Sequence, residues 1–153
     1  MSARPTFEPQ DPEFEARVRA SFARQRFMST LGASLSRVVP GEVDIEVAVR
    51  EELTQQHGFL HAGALAAAAD SACGYAALSL MPAGAAVLSV EFKINLLAPA
   101  AGDRIVAHGR VIRAGRTVTV CWGEVIAHTG NDERLVATMV GTMMAVRDRG
   151  LTD

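Results

Sequence analysis

Asp70 is the only formally charged residue between Glu52 and Glu91, and small apolar residues surround it: His61-Ala-Gly-Ala-Leu-Ala-Ala-Ala-Ala-Asp70-Ser-Ala-Cys-Gly-Tyr. An unpaired carboxylate taken out of water costs several kcal/mol, roughly, unless hydrogen bonds or a shifted pKa offset it. A buried acid of this kind suits a general base or a nucleophile. The alternative is a structural polar group bonded to backbone or to Ser71.

Nine residues upstream, Gly58-Phe-Leu-His61-Ala62-Gly63 enters a helix without a Ser, Thr, Asp or Asn to cap it. The first backbone N–H groups of a helix have no intrahelical partner. With the positive end of the helix dipole behind them, such amides suit a carbonyl oxygen that gains charge during acyl transfer. Gly58 and Gly63 allow close approach to the backbone. The alternative is a plain buried turn in which His61 caps the helix. Ala62 and Asp70 stand about 12 Å apart along one helix at 1.5 Å per residue. If both act on one substrate, they come from two copies of the chain.

Other candidates carry less. Ser89 is placed by alternation on the polar side of a strand with Glu91, Lys93 and Asn95, where it meets solvent or another subunit. Arg113 and Arg116 flank an Ala-Gly turn and could grip a phosphate, or simply be solvated. His108 and His128 sit alone on strands, and Trp122 reads as core. Cys73 and Cys121 read as reduced core thiols, which fits a cytoplasmic protein. No metal-ligand spacing joins them to the histidines.

The elements that must position these residues follow from periodicity. Asp11-Pro12-Glu13 is a helix start, with Asp11 as cap and proline at the first helical position. Phe14, Val18 and Phe22 then recur every four residues, opposite Arg17, Arg19, Arg24 and Arg26, which predicts a surface helix to about Met28 with a solvated arginine face. Strands follow at 31–39 and 42–50, then a helix over 62–77 that holds nine alanines in sixteen residues. A helix apolar all round is buried on most sides. Further strands are expected at 87–97, 104–113, 117–128 and 134–146. Short turns between the last strands imply an antiparallel sheet, which must curl around the long helix to cover it.

The chain has 153 residues, enough for one domain with a substantial core. Hydrophobic residues make up 49% and charged residues 21%, the balance of a globular protein. A net charge of −2 argues against a general nucleic-acid binder. The N-terminus lacks the basic start and apolar run of a secretory signal. Residues 62–81 are long enough to span a bilayer, but Asp70 near their centre adds an insertion penalty of about 3 kcal/mol, so no membrane span is expected.

The run Gln55-Gln-His-Gly58-Phe-Leu-His61-Ala-Gly63, with Asp70 nine residues after His61, resembles the hotdog-fold thioesterases of the phenylacetate-degradation (PaaI) type. Those carry Asn-x-x-Gly-x-x-His-Gly-Gly and an aspartate at that offset. The Ser89 strand and the Gly115-Arg116 hairpin are similar too. Here Gln55 replaces the Asn, and Ala62 replaces the first glycine of the pair. The resemblance implies an α+β hotdog fold over 31–148, preceded by an N-terminal segment 1–30 with a short helix. It implies a homodimer or homotetramer with active sites at the subunit interface. The reaction would be hydrolysis of an aryl- or medium- to long-chain acyl-coenzyme A, with no cofactor or metal. The Ala62 amide, aided by His61, would polarise the carbonyl; Asp70 of the neighbouring subunit would activate water or attack. Gln55 and Ser89 would orient the reacting groups, and Gly63, Arg113 and Arg116 would bind substrate. Two alternatives are an acyl-coenzyme A sensor on the same scaffold and a hydratase or dehydratase. The hydratase string Asp-x-Asn-Pro-x-His is absent.

Overall fold

The computed structural model describes residues 6–153. Residues 1–5, the beginning of the N-terminal segment discussed above, lie outside the described residues. Two short helices, α1 (Phe14–Arg24) and α2 (Arg26–Leu31), lead into strands β1 (Ala33–Val39) and β2 (Glu42–Ala48). After a loop with one 3-10 turn (Glu51–Leu53) comes α3 (Ala62–Leu78), then β3 (Ala86–Leu96), β4 (Arg104–Ala114), β5 (Val118–Thr129) and β6 (Asp132–Val146). The six strands form one antiparallel sheet in the order β1-β2-β4-β5-β6-β3, so β3 is an edge strand.

The sheet wraps α3, as expected for an alanine-rich helix without a polar stripe. Val43, Ile45 and Val47 of β2 turn inward and are fully buried, as their alternation requires. They belong to one core with Ile105 and Ala107 of β4, Cys121 and Val125 of β5, and Met139 and Met143 of β6. Two glycines set how closely α3 lies on the sheet. Gly109 and Gly123 are paired in register across β4 and β5. A Cβ on Gly109 would overlap the backbone of Ala72 and Cys73, and one on Gly123 would lie 3.1 Å from Cys73 Sγ. The sheet therefore supports α3 directly at the turn that follows Asp70.

The N-terminal region differs from the expected single helix over 11–28. Pro12 lies in the turn before α1, and the Asp11 carboxylate accepts from the Glu13 N–H at 2.9 Å. The helix also breaks at Gln25, whose backbone is extended. Arg17 is not part of a solvated face. Its guanidinium donates to the carbonyls of Leu78, Met81 and Pro82 at 2.7–3.0 Å and pairs with Asp11 at 3.3 Å. It thereby adds charged donors at the negative end of α3, where the Leu78 and Pro82 carbonyls also accept from the Met81 and Ala85 N–H groups. Val18 and Met28 join the core beneath the sheet.

A larger correction concerns β3. The β3–β6 register runs Ser89↔Met143 and then Glu91↔Thr142, leaving Val90 as a bulge. One extra residue reverses the alternation. Ser89 consequently shares the helix-facing side with buried Met143, while Glu91 stays outside, accepting from Thr142 Oγ1 at 2.6 Å. Ser89 is exposed, as expected, but it does not share a side with Glu91, because the bulge turns its hydroxyl towards α3. Trp122, expected in the core, is only half-buried, between inward-facing Cys121 and Gly123. Among the described residues, no helix is long and apolar enough to cross a membrane, and no group of three or more His, Cys, Asp or Glu could hold a metal ion.

Candidate active site

The loop before α3 is pinned from several sides. Leu60 N–H donates to Ala100 O and His61 N–H to Leu53 O, both at 2.9 Å. Gln55 closes a turn on itself: its carbonyl accepts from Gly58 N–H at 2.9 Å, and its side-chain oxygen accepts from His57 N–H. His61 is the N-cap of α3, and its Nδ1 accepts from the Gly63 N–H at 2.8 Å. A Cβ at position 63 would sit 3.0 Å from that nitrogen, so glycine keeps the cap uncrowded.

The two readings of this turn therefore coexist. His61 satisfies the Gly63 amide, and the neighbouring Ala62 N–H makes no hydrogen bond among the described residues. Ala62 is exposed and lines a cavity of about 510 Å³ that it and Gln55 and His61 share with Phe59, Leu65 and Leu96. An unpaired donor at a helix start, with the helix dipole behind it, stabilises negative charge on a bound oxygen.

Two turns along α3, Asp70 is half-buried. Ser89 Oγ donates to its Oδ1 at 2.7 Å and lies 3.4 Å from Met143 Sδ. Burial raises the Asp70 pKa above the ordinary carboxylate value, and the Ser89 hydrogen bond opposes that rise. Ser71, the alternative partner for Asp70, bonds instead to Gln25 Oε1 at 3.1 Å. A cavity of about 100 Å³ lies in front of the Asp70–Ser89 pair, reached also by Gln25, Tyr75 and Asp153. Neither Gln25 nor Asp153 carried a sequence signal. One arrives through the helix break, the other through the path of the chain after β6.

Within one chain these residues form two groups. Gln55, His61, Ala62 and Gly63 stand at the start of α3, and Asp70 and Ser89 on its flank, about 12 Å further along. Arg113 and Arg116 belong to neither group. Both are exposed at the β4–β5 hairpin, and the Arg116 carbonyl accepts from Arg147 at 3.0 Å. His108, expected to be isolated, pairs with Asp44 across β2 and β4 at 2.8 Å, and that hydrogen bond raises its pKa. Burial pushes the Cys73 thiol up, and that of Cys121 to about 12, so neither is an available nucleophile.

Comparison with known proteins gives a consistent picture. The sequence pattern of the thioesterase superfamily matches residues 57–133, about half of the chain. The human acyl-coenzyme A thioesterase 13 is 33% identical over 103 residues, covering 66% of this chain and 73% of its own. A thioesterase family protein from Silicibacter pomeroyi superimposes with a TM-score of 0.86 at 49% identity, covering 88% of this chain and 98% of that one. The PaaI protein of Escherichia coli shares the fold, with a TM-score of 0.79 at 23% identity over 88% of this chain and 94% of its own.

Proposed function

From the premise that this chain belongs to the thioesterase superfamily and is a hotdog-fold thioester hydrolase, we propose that it is of the PaaI type and that its substrate is an aryl- or medium- to long-chain acyl-coenzyme A. The observation that carries this reading is an unpaired Ala62 amide on a cavity with several apolar walls, combined with a serine-held carboxylate on the same helix. The acyl group occupies the 510 Å³ cavity, whose walls include Phe59, Leu60, Leu65, Leu96 and Leu97. The exposed arginines Arg113 and Arg116 take the coenzyme phosphates.

The carbonyl oxygen accepts from the Ala62 N–H of one subunit, with His61 holding the turn. Asp70 of a second subunit is the general base, and Ser89 leaves one of its carboxylate oxygens free for water. Water oxygen attacks the carbonyl carbon while its proton passes to Asp70, and the oxyanion forms against the Ala62 amide. The intermediate collapses, the C–S bond breaks, and the proton on Asp70 goes to the departing sulfur. Burial supports this role, because a carboxylate with a raised pKa is a stronger base.

Two subunits are required because 12 Å of helix separates the groups. The free edge of β3 and its exposed Leu88, Val90 and Leu96 suit pairing with a second copy. The test is release of free thiol, followed with 5,5′-dithiobis(2-nitrobenzoate), across a panel of acyl-coenzyme A esters. Turnover of aryl or medium-chain esters is expected, and failure to turn over any member would overturn the substrate assignment.

A further inference from the structure

The cavity in front of Asp70 is small, mostly polar and bounded on one side by Asp153, which takes no part in the reaction. Asp153 folds back across the beginning of β3. Its Oδ2 accepts from the Val87 N–H at 2.7 Å, and its Oδ1 accepts from Ser21 Oγ at 2.8 Å. Ser21 is buried and lies 3.3 Å from the Tyr75 hydroxyl. Gln25 forms the adjoining wall through its bond to Ser71. Four separate parts of the chain thus converge on about 100 Å³ beside the catalytic candidate.

That space equals the share of liquid volume taken by about three waters, and a buried water needs two to four polar partners. Ser71, Tyr75, Ser89, Gln25 and the two carboxylates supply them, and Gly74 and Val87 complete the lining. Such walls suit water better than an acyl chain, for which the larger cavity, walled in part by Phe59, Leu65, Leu96 and Leu97, is available. No ion pair holds Asp153 among the described residues; both its partners are neutral donors.

We propose that this cavity is the chamber for the hydrolytic water, and that Asp153, latched on Ser21 and Val87, seals it against larger nucleophiles. Asp153 and Gln25 are then positioning residues that select the nucleophile. The inference rests on Asp70 acting as the base for the thioester. When an alcohol enters instead of water, its oxygen attacks the same carbonyl. Its proton passes through Asp70 to the departing thiol, and an ester forms in place of the acid.

The test measures how products partition when hexanoyl-coenzyme A is turned over at a fixed methanol concentration. The unaltered protein should give almost only hexanoic acid. Asp153→Ala and Gln25→Ala, which open the chamber from two sides, should each raise the ratio of methyl ester to acid by about tenfold, the scale on which a pocket rejects one extra carbon. A merely structural role would lower the amount of active protein without moving this ratio. Hydrogen exchange supplies a second readout, because the Val87 amide should lose protection in Asp153→Ala. An unchanged product ratio in both variants, or unchanged Val87 protection, overturns the proposal. Failure of the underlying reading looks different: Asp70→Asn would then release thiol as fast as the parent, and the chamber would fall with it.

Discussion

Ser89 Oγ donates to Asp70 Oδ1 at 2.7 Å, and the bond exists because Val90 is left out of the β3–β6 ladder. Without that bulge the Ser89 hydroxyl would point to the other side of the sheet and the Asp70 carboxylate would lose its donor.

Asp70→Asn keeps size and most hydrogen bonding while removing the charge. Turnover should fall by roughly 10²-fold or more, the scale of a lost general base. The melting temperature should hold or rise, because a desolvated charge has gone. Thiol-release kinetics and a thermal melt on the same preparation separate this from a structural role, which would give near-normal turnover per folded molecule and a lower melting temperature.

The raised Asp70 pKa has opposite effects on stability and on activity. The folded state binds this proton more tightly than the unfolded chain, so its contribution favours folding at low pH. That contribution is lost as pH climbs from the ordinary carboxylate value of 3.8 through the raised one. Turnover needs the deprotonated form and should fall as pH drops through the raised value. Ser89→Ala removes the opposing donor, so the acid limb of kcat should move to higher pH. An acid limb in the same place in both proteins would show that Asp70 is not the titrating base.

Ala62→Pro offers a clean deletion of one amide. Position 62 is the first residue of α3, where proline is favoured, and His61 already has the extended backbone that a following proline requires (φ −63°, ψ 138°). The fold should therefore persist while kcat drops by about 10²–10³-fold, as for a lost oxyanion donor. Ala62→Gly keeps the amide and should be tolerated. Circular dichroism with thiol-release kinetics checks both, and full activity in Ala62→Pro would remove the amide from the mechanism.

Mixing Asp70→Asn chains with Ala62→Pro chains tests whether the site is shared. Subunit exchange should restore partial activity, since some mixed assemblies contain one intact site. Light scattering should show an oligomer at every dilution that retains activity; an active monomer would place the whole site in one chain.

Gly109→Ala should destabilise the fold by about 1–3 kcal/mol in urea denaturation, the usual range for overpacking. The added methyl meets the backbone of Ala72 and Cys73, which cannot move as a side chain does. Turnover per folded molecule should fall too, because α3 carries Asp70 one turn from the contact. Unchanged stability would mean that the helix does not rest on this strand as closely as described.

Local sequence was enough to determine the strands, the long helix and the fold class, though not the break at Gln25. Val43, Ile45 and Val47 alternate because one side of β2 is buried, and the alanines of α3 leave it no polar side to expose, so a wrapped helix followed. The unusual position of Asp70 and the uncapped His61-Ala62-Gly63 turn were legible for the same reason: a buried charge and an unsatisfied helix start are visible in a short window. The resemblance to the PaaI type rested on that same stretch. What tertiary structure alone decided were the relations between distant segments. A bulge has no signature in alternating residues, so Ser89 was placed on the wrong side until its register with Met143 was seen. Arg17 looked solvated because its acceptors, the carbonyls of Leu78, Met81 and Pro82, lie more than sixty residues away. Gln25 and Asp153 reach the Asp70 cavity only because a helix breaks and the chain after β6 returns to β3. Periodicity reports which side of an element is buried, but which distant residue lies against it depends on how the whole chain packs.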